Sequence, residues 1–348
     1  MESYRFNKII MQTHFLTIQK LIKGKIFDFI ERFSDVSYSR GYGNVKNYSL
    51  IELYKKQINS HSITTGIYKS KVGRKIIIKK LIFKYKNLAY EHLLNEAHML
   101  QELNKLSVGN SFQIKFPKVL AVNEIKDEIM VMREFVHGEP LKFFSNKFKV
   151  ETLKKILCFF TILSDSIKKN HNLFSKRKPI HILLSFPFYL IYAAKKDRSN
   201  IFTYLKLAYL FYKSYLLTNI FSPKYILAHR DLHPGNILCD RNTIFVIDPD
   251  MCVLAEEGTD IAIISQFFTK DFGIDNTIKL LYELLGTYEQ KKKFLALTIF
   301  YTIQTLALEE KNNSFYKMSE DYLNSLLKDI IPAMTGENRG GLDLSYRI

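Results

Sequence analysis

The spacing of hydrophobic and polar positions changes several times along the chain, and each change predicts an element. Phe15, Ile18, Ile22, Ile26, Phe29, Ile30 and Phe33 recur at helical spacing, with Lys20, Lys23 and Lys25 toward the other side. This predicts a basic amphipathic helix. Gly41 and Gly43 then mark a boundary, so residues 1–45 read as an N-terminal extension. From 46 to 137 the pattern turns to short β-rich runs. His61–Lys69 passes from polar to apolar, Val72-Gly73-Arg74-Lys75 reads as a hairpin turn, and Ile76–Ile82 is a β-branched strand. Alternation puts Lys79 and Lys80 on opposite faces of that strand, so only one can point inward. Tyr90–Leu103 carries Leu93, Ala97, Leu100 and Leu103 along one side, which predicts a helix with Glu96 beside its apolar stripe. Phe116–Val122 and Glu128–Met132 supply further strands.

Past the breakers Gly138 and Pro140, residues 146–172 read as an amphipathic helix broken near Asn170–Asn172. Two unusual segments follow. Pro179–Ala194 is nearly uncharged and aromatic, and Ile201–Ile220 is apolar apart from Lys206 and Lys213. The first is too short to span a bilayer and contains Pro187, and the second carries two lysines, so both are expected to be buried helices. Resting on a membrane surface, with Lys176-Arg177-Lys178 and Lys195-Lys196 nearby, is the alternative. An apolar approach and a polar loop, Ile226–Leu238, precede two β-rich runs, Asn236–Cys239 and Thr243–Ile247. Asp240-Arg241-Asn242 between them predicts a hairpin that holds Asp231, Asn236 and Asp248 close together. Thr259 or Asp260 is expected to cap the next helix. Helices continue to about 333, and the glycine-containing tail, 335–348, is expected to be loose.

Composition narrows the function classes. The chain has 348 residues, 47% hydrophobic and 24% charged, an ordinary globular balance with room for a sizeable core. A formal net charge of +17 favours anionic partners, among them acidic lipid or phosphorylated substrates. No nucleic-acid motif accompanies that charge. Cys158, Cys239 and Cys252 form no CxxC pair, and the N-terminus does not read as a signal peptide, so a reduced, cytoplasmic setting is expected.

An Asp, an Asn five residues on and a second Asp beyond a hairpin offer hard oxygen ligands of the kind Mg²⁺ takes. A carboxylate left off the metal can orient and deprotonate a hydroxyl. The set suits phosphoryl transfer.

His229-Arg230-Asp231-Leu232-His233-Pro234-Gly235-Asn236, followed by Ile247-Asp248-Pro249-Asp250, resembles the catalytic loop and metal turn of the protein-kinase-like superfamily. It is most similar to the aminoglycoside phosphotransferase and choline kinase branch, whose loop typically reads H-G-D-L-H-P-G-N. Arg230 in place of that Gly looks more like the protein kinases. Only eleven residues separate Asp248 from Asp260 and no A-P-E follows, which leaves no room for a protein-kinase activation segment.

The resemblance implies an α+β, two-lobed kinase-like fold. Its N-lobe, 46–137, would be a small antiparallel sheet, and its C-lobe, 138–334, large and helical, with an apolar insertion at 174–222. It implies an enzyme, a phosphotransferase with an alcohol acceptor that uses ATP and Mg²⁺. Asp231 would take the hydroxyl proton, and Asn236 and Asp248 would hold the metal. Lys79, with Lys80 in reserve, would anchor the phosphates and pair with Glu96, or with Glu91 as runner-up. The stretch from Ser62 through Thr65 to Gly66 resembles the nucleotide-covering hairpin, and Arg133–Leu141 resembles the linker between the lobes, whose backbone groups from Glu134 to Val136 would meet the adenine. Asp260 resembles the Asp that braces the catalytic loop. The acceptor is read as a small molecule or saccharide, with a lipopolysaccharide-core or lipid-linked sugar at the inner face of an anionic membrane as the alternative. A catalytically silent membrane-binding module is the reading from another class.

Overall fold

The computed structural model describes residues 48–58, 61–83, 88–109, 111–168, 177–197, 200–218, 224–240 and 243–335. The extension at 1–45, the break at 170–172, the hairpin tip at 241–242 and the tail from 336 lie outside the described residues. Contacts divide the chain into two units, Met1–Lys176 with Leu227–Leu254, and Arg177–Ile226 with Ala255–Ile348.

The first unit is built on strands β1 (Tyr48–Ile58), β2 (His61–Ser70), β3 (Lys75–Ile82), β5 (Val119–Ile125) and β6 (Glu128–Glu134). They form one antiparallel sheet in the order β1-β2-β3-β6-β5. Gly73, at φ 85°, closes the turn into β3 by donating its N–H to Ser70 O at 2.9 Å. The sheet has two unlike faces. Tyr68, Ile76 and Ile78 pack together on one, with Met130 and Met132 against them. The other carries Ile63, Leu81, Ile129 and Val131, which meet Leu93 and Ala97 of helix α1 (Leu88–Leu106). Lys79 lies opposite Val131 and Thr65 opposite Lys79, so all three share the α1 face.

The Ser- and Thr-rich stretch from Ser62 to Gly66 lies in the antiparallel hairpin of β1 and β2. It is part of β2, paired with β1 on one side and, from Thr64 on, with β3 on the other. Ile and Thr suit a pleated strand, and that preference outweighs the turn-forming tendency of Ser and Gly. The Ser62 side chain lies outside the described residues.

A second sheet in the same unit runs β4-β10-β9-β7, from β4 (Ile114–Lys115), β7 (Glu139–Pro140), β9 (Ile237–Asp240) and β10 (Thr243–Val246). β9 and β10 are the expected hairpin, with Val246 opposite Ile237. Gly138 is more than a breaker. A Cβ there would stand 3.1 Å from Cys239 O and 3.2 Å from Leu238 Cβ, so a side chain would need β9 to give by a few tenths of an ångström. Gly138→Ala is expected to lower stability by about 1–3 kcal/mol, read as a fall in the thermal midpoint. Helix α2 (Asn146–Lys168) belongs to this unit as well, and strand β8 (Tyr225–Ala228) leads into the loop. Ser164 Oγ of α2 accepts the N–H of Leu227 at 2.6 Å.

In the second unit, helices α3 (Pro179–Lys196) and α4 (Ile201–Thr218) both pack on α7 (Tyr288–Leu308), which follows α5 (Thr259–Phe272) and α6 (Ile274–Leu284). Phe186 of α3 stacks on Phe211 of α4 with ring centroids 3.8 Å apart. Lys196 donates to the carbonyls of Leu306, Ala307 and Glu309 at 3.2, 2.8 and 2.6 Å, closing the C-terminus of α7. Burial of α3 and α4 is one-sided, however. Ile180, Leu184 and Ile191 of α3 and Phe202, Leu205, Tyr209 and Leu216 of α4 are exposed. Neither Thr259 nor Asp260 caps α5. Gly258, at φ 95°, holds that position without a side-chain cap, and both residues fall in the buried first turn.

Candidate active site

Lys79, Glu96 and Asp248 meet where β3, β6 and α1 face the turn that follows β10. Alternation settles which lysine turns inward. Lys79 Nζ donates to Glu96 Oε2 at 2.7 Å and to Asp248 Oδ1 at 2.9 Å, whereas Lys80 pairs with Glu128 at 2.6 Å on the other face. The runner-up Glu91 has its side chain outside the described residues. Burial by itself would lower the Lys79 pKa, but the carboxylates of Asp248 and Glu96 outweigh it, and the group is held above its ordinary value as a cation. Glu96 is also raised, chiefly by burial, with Lys79 and Arg133 pulling the other way.

Arg133 completes this cluster, and the sequence reading had placed it in the linker. It is the next-to-last residue of β6 and 3% exposed, with Nη2 3.0 Å from Asp248 Oδ1 and Nε 3.5 Å from Glu96 Oε1. The signal for it was present. Ile129, Val131 and Arg133 are the buried positions of one alternating strand.

The loop from His229 to Asn236 is braced from within. The buried His229 ring accepts the Asp231 N–H on Nδ1 at 3.3 Å, which leaves Nε2 to donate to Ile247 O at 3.0 Å. It stacks on Phe160, 7° from parallel. Asn236 Nδ2 donates to Asp231 O at 2.9 Å and to Asp231 Oδ2 at 3.1 Å. Asn236 O in turn accepts the N–H of Ile247 at 3.0 Å, which sets Asp248 one residue beyond that pairing. Arg230 and Asp248 both adopt left-handed backbone, at φ 64° and 56°. A glycine would hold the first of these without strain, which gives a physical reason for the Gly of H-G-D loops. Asp250 faces α1, with Oδ2 3.2 Å from His92 Nδ1 and its carbonyl accepting from Asn95 Nδ2.

The donor types, an amide oxygen and a carboxylate, are those a magnesium ion takes. The amide nitrogen of Asn236 is spent on Asp231, which reserves its oxygen, the metal-binding atom of that side chain. With the Asp248 carboxylate this makes two protein oxygens. Mg²⁺ commonly binds through one or two carboxylates together with substrate phosphates. Among the described residues no group of three or more His, Cys, Asp or Glu could hold a metal without such help.

Of the remaining candidates, Thr65 stands opposite Lys79, on the same face of the sheet. Glu134 is the last residue of β6, and its N–H is used by Lys118 O at 2.9 Å. Val136 is buried in the irregular stretch that follows. Asp260 belongs to the second unit.

The chain is similar to known proteins in part of its sequence and in its fold. The sequence model of the phosphotransferase enzyme family matches residues 206–294. No curated protein sequence matches the chain. A choline kinase from Cryptosporidium parvum Iowa II superposes with a TM-score of 0.56 at 14% identity, covering 90% of this chain and 96% of that one. A GDP complex of an aminoglycoside 2'-phosphotransferase IIIa mutant gives 0.55 at 15% identity, covering 82% and 94%. A thermostable aminoglycoside phosphotransferase APH(4)-Ia mutant, in ternary complex with AMP-PNP and hygromycin B, gives 0.56 at 11%, covering 80% and 94%. The chain therefore shares an α+β fold with these solved kinases, and residues 206–294 match the model of a phosphotransferase family. No helix among the described residues is long and apolar enough to cross a membrane.

Proposed function

We propose that this chain, kinase-like in fold and matched to the phosphotransferase enzyme family over residues 206–294, moves the γ-phosphoryl group of ATP to a hydroxyl of a small molecule or saccharide. One observation carries the reading. Lys79 joins Glu96 to Asp248 while Asn236 is held on Asp231, all within one unit.

In this reading Asp231 orients the acceptor hydroxyl and takes its proton as the new O–P bond forms and ADP leaves. Asn236 and Asp248 would hold Mg²⁺, which would supply charge neutralisation for the phosphates. Lys79, fixed by Glu96, steadies the phosphate oxygens, with Thr65 beside it on the same face of the sheet. Backbone groups of the linker from Glu134 to Val136 receive the adenine. The Glu134 N–H is already used within the sheet, so its carbonyl and the Val136 amide are the groups for that task.

A net charge of +17 suits an anionic acceptor, such as a phosphorylated sugar, better than a cationic amine. Screening neutral, cationic and phosphorylated sugars with labelled ATP tests this. Phosphorylation of cationic amines alone would reject the anionic preference, and no transfer to any hydroxyl would reject the function.

A lipid-linked or membrane-borne saccharide is favoured by the exposed apolar face of α4. Phe202 is 82% exposed, Leu205, Tyr209 and Leu216 share its side, and Lys206 and Lys213 lie among them. Neither α3 nor α4 contains an acidic residue. Such a face suits an anionic bilayer surface. Replacing Phe202→Glu and Leu205→Glu together is expected to lower co-sedimentation with anionic vesicles several-fold while turnover on a soluble acceptor persists. Unchanged sedimentation would remove the membrane from the reading. Vesicle binding with no turnover on any acceptor would favour a silent binding module instead.

A further inference from the structure

The cluster around Asp248 holds one cation more than a phosphate-anchoring lysine and its glutamate require. Lys79 alone already bridges Glu96 and Asp248. Arg133 adds a guanidinium from β6, and its Nη2 shares with Lys79 the same carboxylate oxygen, Asp248 Oδ1. Its position belongs to the buried face of the strand, after Ile129 and Val131, where an apolar side chain would serve packing. Burying a guanidinium there costs desolvation that an apolar side chain would not incur. Nor is it saturated by Glu96. Arg133 Nε and Glu96 Oε1 stand 3.5 Å apart, and neither atom makes a hydrogen bond. The well-made bond is the one to Asp248.

These four groups sum to zero charge, two carboxylates against two cations. A bare divalent ion entering such a low-dielectric cluster would leave it with uncompensated positive charge, which is costly. An ion arriving with a polyphosphate brings its own counter-charge.

Resting on the phosphotransferase reading, we propose that Arg133 is a charge-balancing positioning residue. It neutralises Asp248 before nucleotide binds, so that the divalent cation enters with the nucleotide's phosphates and not ahead of them.

The test follows the thermal unfolding midpoint of the full chain in Mg²⁺ alone and in Mg²⁺ with a non-hydrolysable ATP analogue. The wild type is expected to respond to the combination and not to Mg²⁺ alone. Arg133→Gln is expected to respond to Mg²⁺ alone, half-saturating about tenfold or more below the highest concentration that leaves the wild type unchanged, the scale on which a unit charge within 4–6 Å acts. Adding Asp248→Asn to that variant should abolish the response, and Arg133→Lys, which keeps the charge, should behave as wild type. Arg133→Met repeats the measurement with an apolar side chain should the Gln variant not fold. Failure of both to fold would make Arg133 a structural residue and overturn the proposal. So would a Gln or Met variant no more responsive to Mg²⁺ than wild type, or a Lys variant that responds as they do. A wild type blind to Mg²⁺ with the analogue would instead overturn the phosphotransferase reading, on which this proposal rests.

Discussion

Asp231→Asn is expected to lower phosphoryl transfer by about 10²–10⁴-fold, the usual contribution of a positioned general base. The asparagine keeps the shape of the side chain and an oxygen that can accept from Asn236 Nδ2, now at 3.1 Å from Asp231 Oδ2. The bond from Asn236 to the Asp231 carbonyl does not involve the altered group at all. Nucleotide binding by calorimetry and the thermal midpoint should therefore stay close to wild type while turnover collapses. A variant that turns over at the wild-type rate would remove Asp231 from the reaction.

The second large effect concerns Lys79, and it separates stability from chemistry. Lys79→Met leaves Glu96, 3% exposed, with only the long contact to Arg133 at 3.5 Å. Stripping one partner from a buried ion pair costs about 3–5 kcal/mol, so a marked drop in denaturant midpoint is expected along with loss of turnover. Adding Glu96→Leu removes the stranded carboxylate and puts an apolar side chain beside Leu93 and Ala97, which already pack in that layer. The double variant should recover most of the lost stability and none of the turnover. Recovery of both would make the pair a packing feature, and recovery of neither would mean that the lysine's partner is elsewhere.

How much of this was legible in the chain depends on how local each signal is. The loop from His229 to Asn236 and the Asp248 turn are contiguous runs joined by one hairpin, so sequence order alone brings them together. Choosing between Lys79 and Lys80 needed only the two-residue period of a strand. Arg133 escaped because it was read as the first residue of a linker, and not as the last inward position of β6 after Ile129 and Val131. The stretch from Ser62 to Gly66 lies in the β1–β2 hairpin, where Thr and Ile are comfortable in a paired strand. Helices α3 and α4 are apolar nearly all round, a pattern that ordinarily means full burial. Only packing on α7 reveals that one side of each has no protein over it among the described residues.

The left-handed residues that bracket the hairpin carry a further implication. Each non-glycine residue in that conformation sits roughly 1–2 kcal/mol above its right-handed well. Asp248 thus has an easier torsion within reach, and side-chain clamps from Lys79 and Arg133, with the backbone bond of Ile247 to Asn236, keep it from taking it. Slackening any one clamp would lower the cost of leaving that torsion, locally and with both sheets still intact.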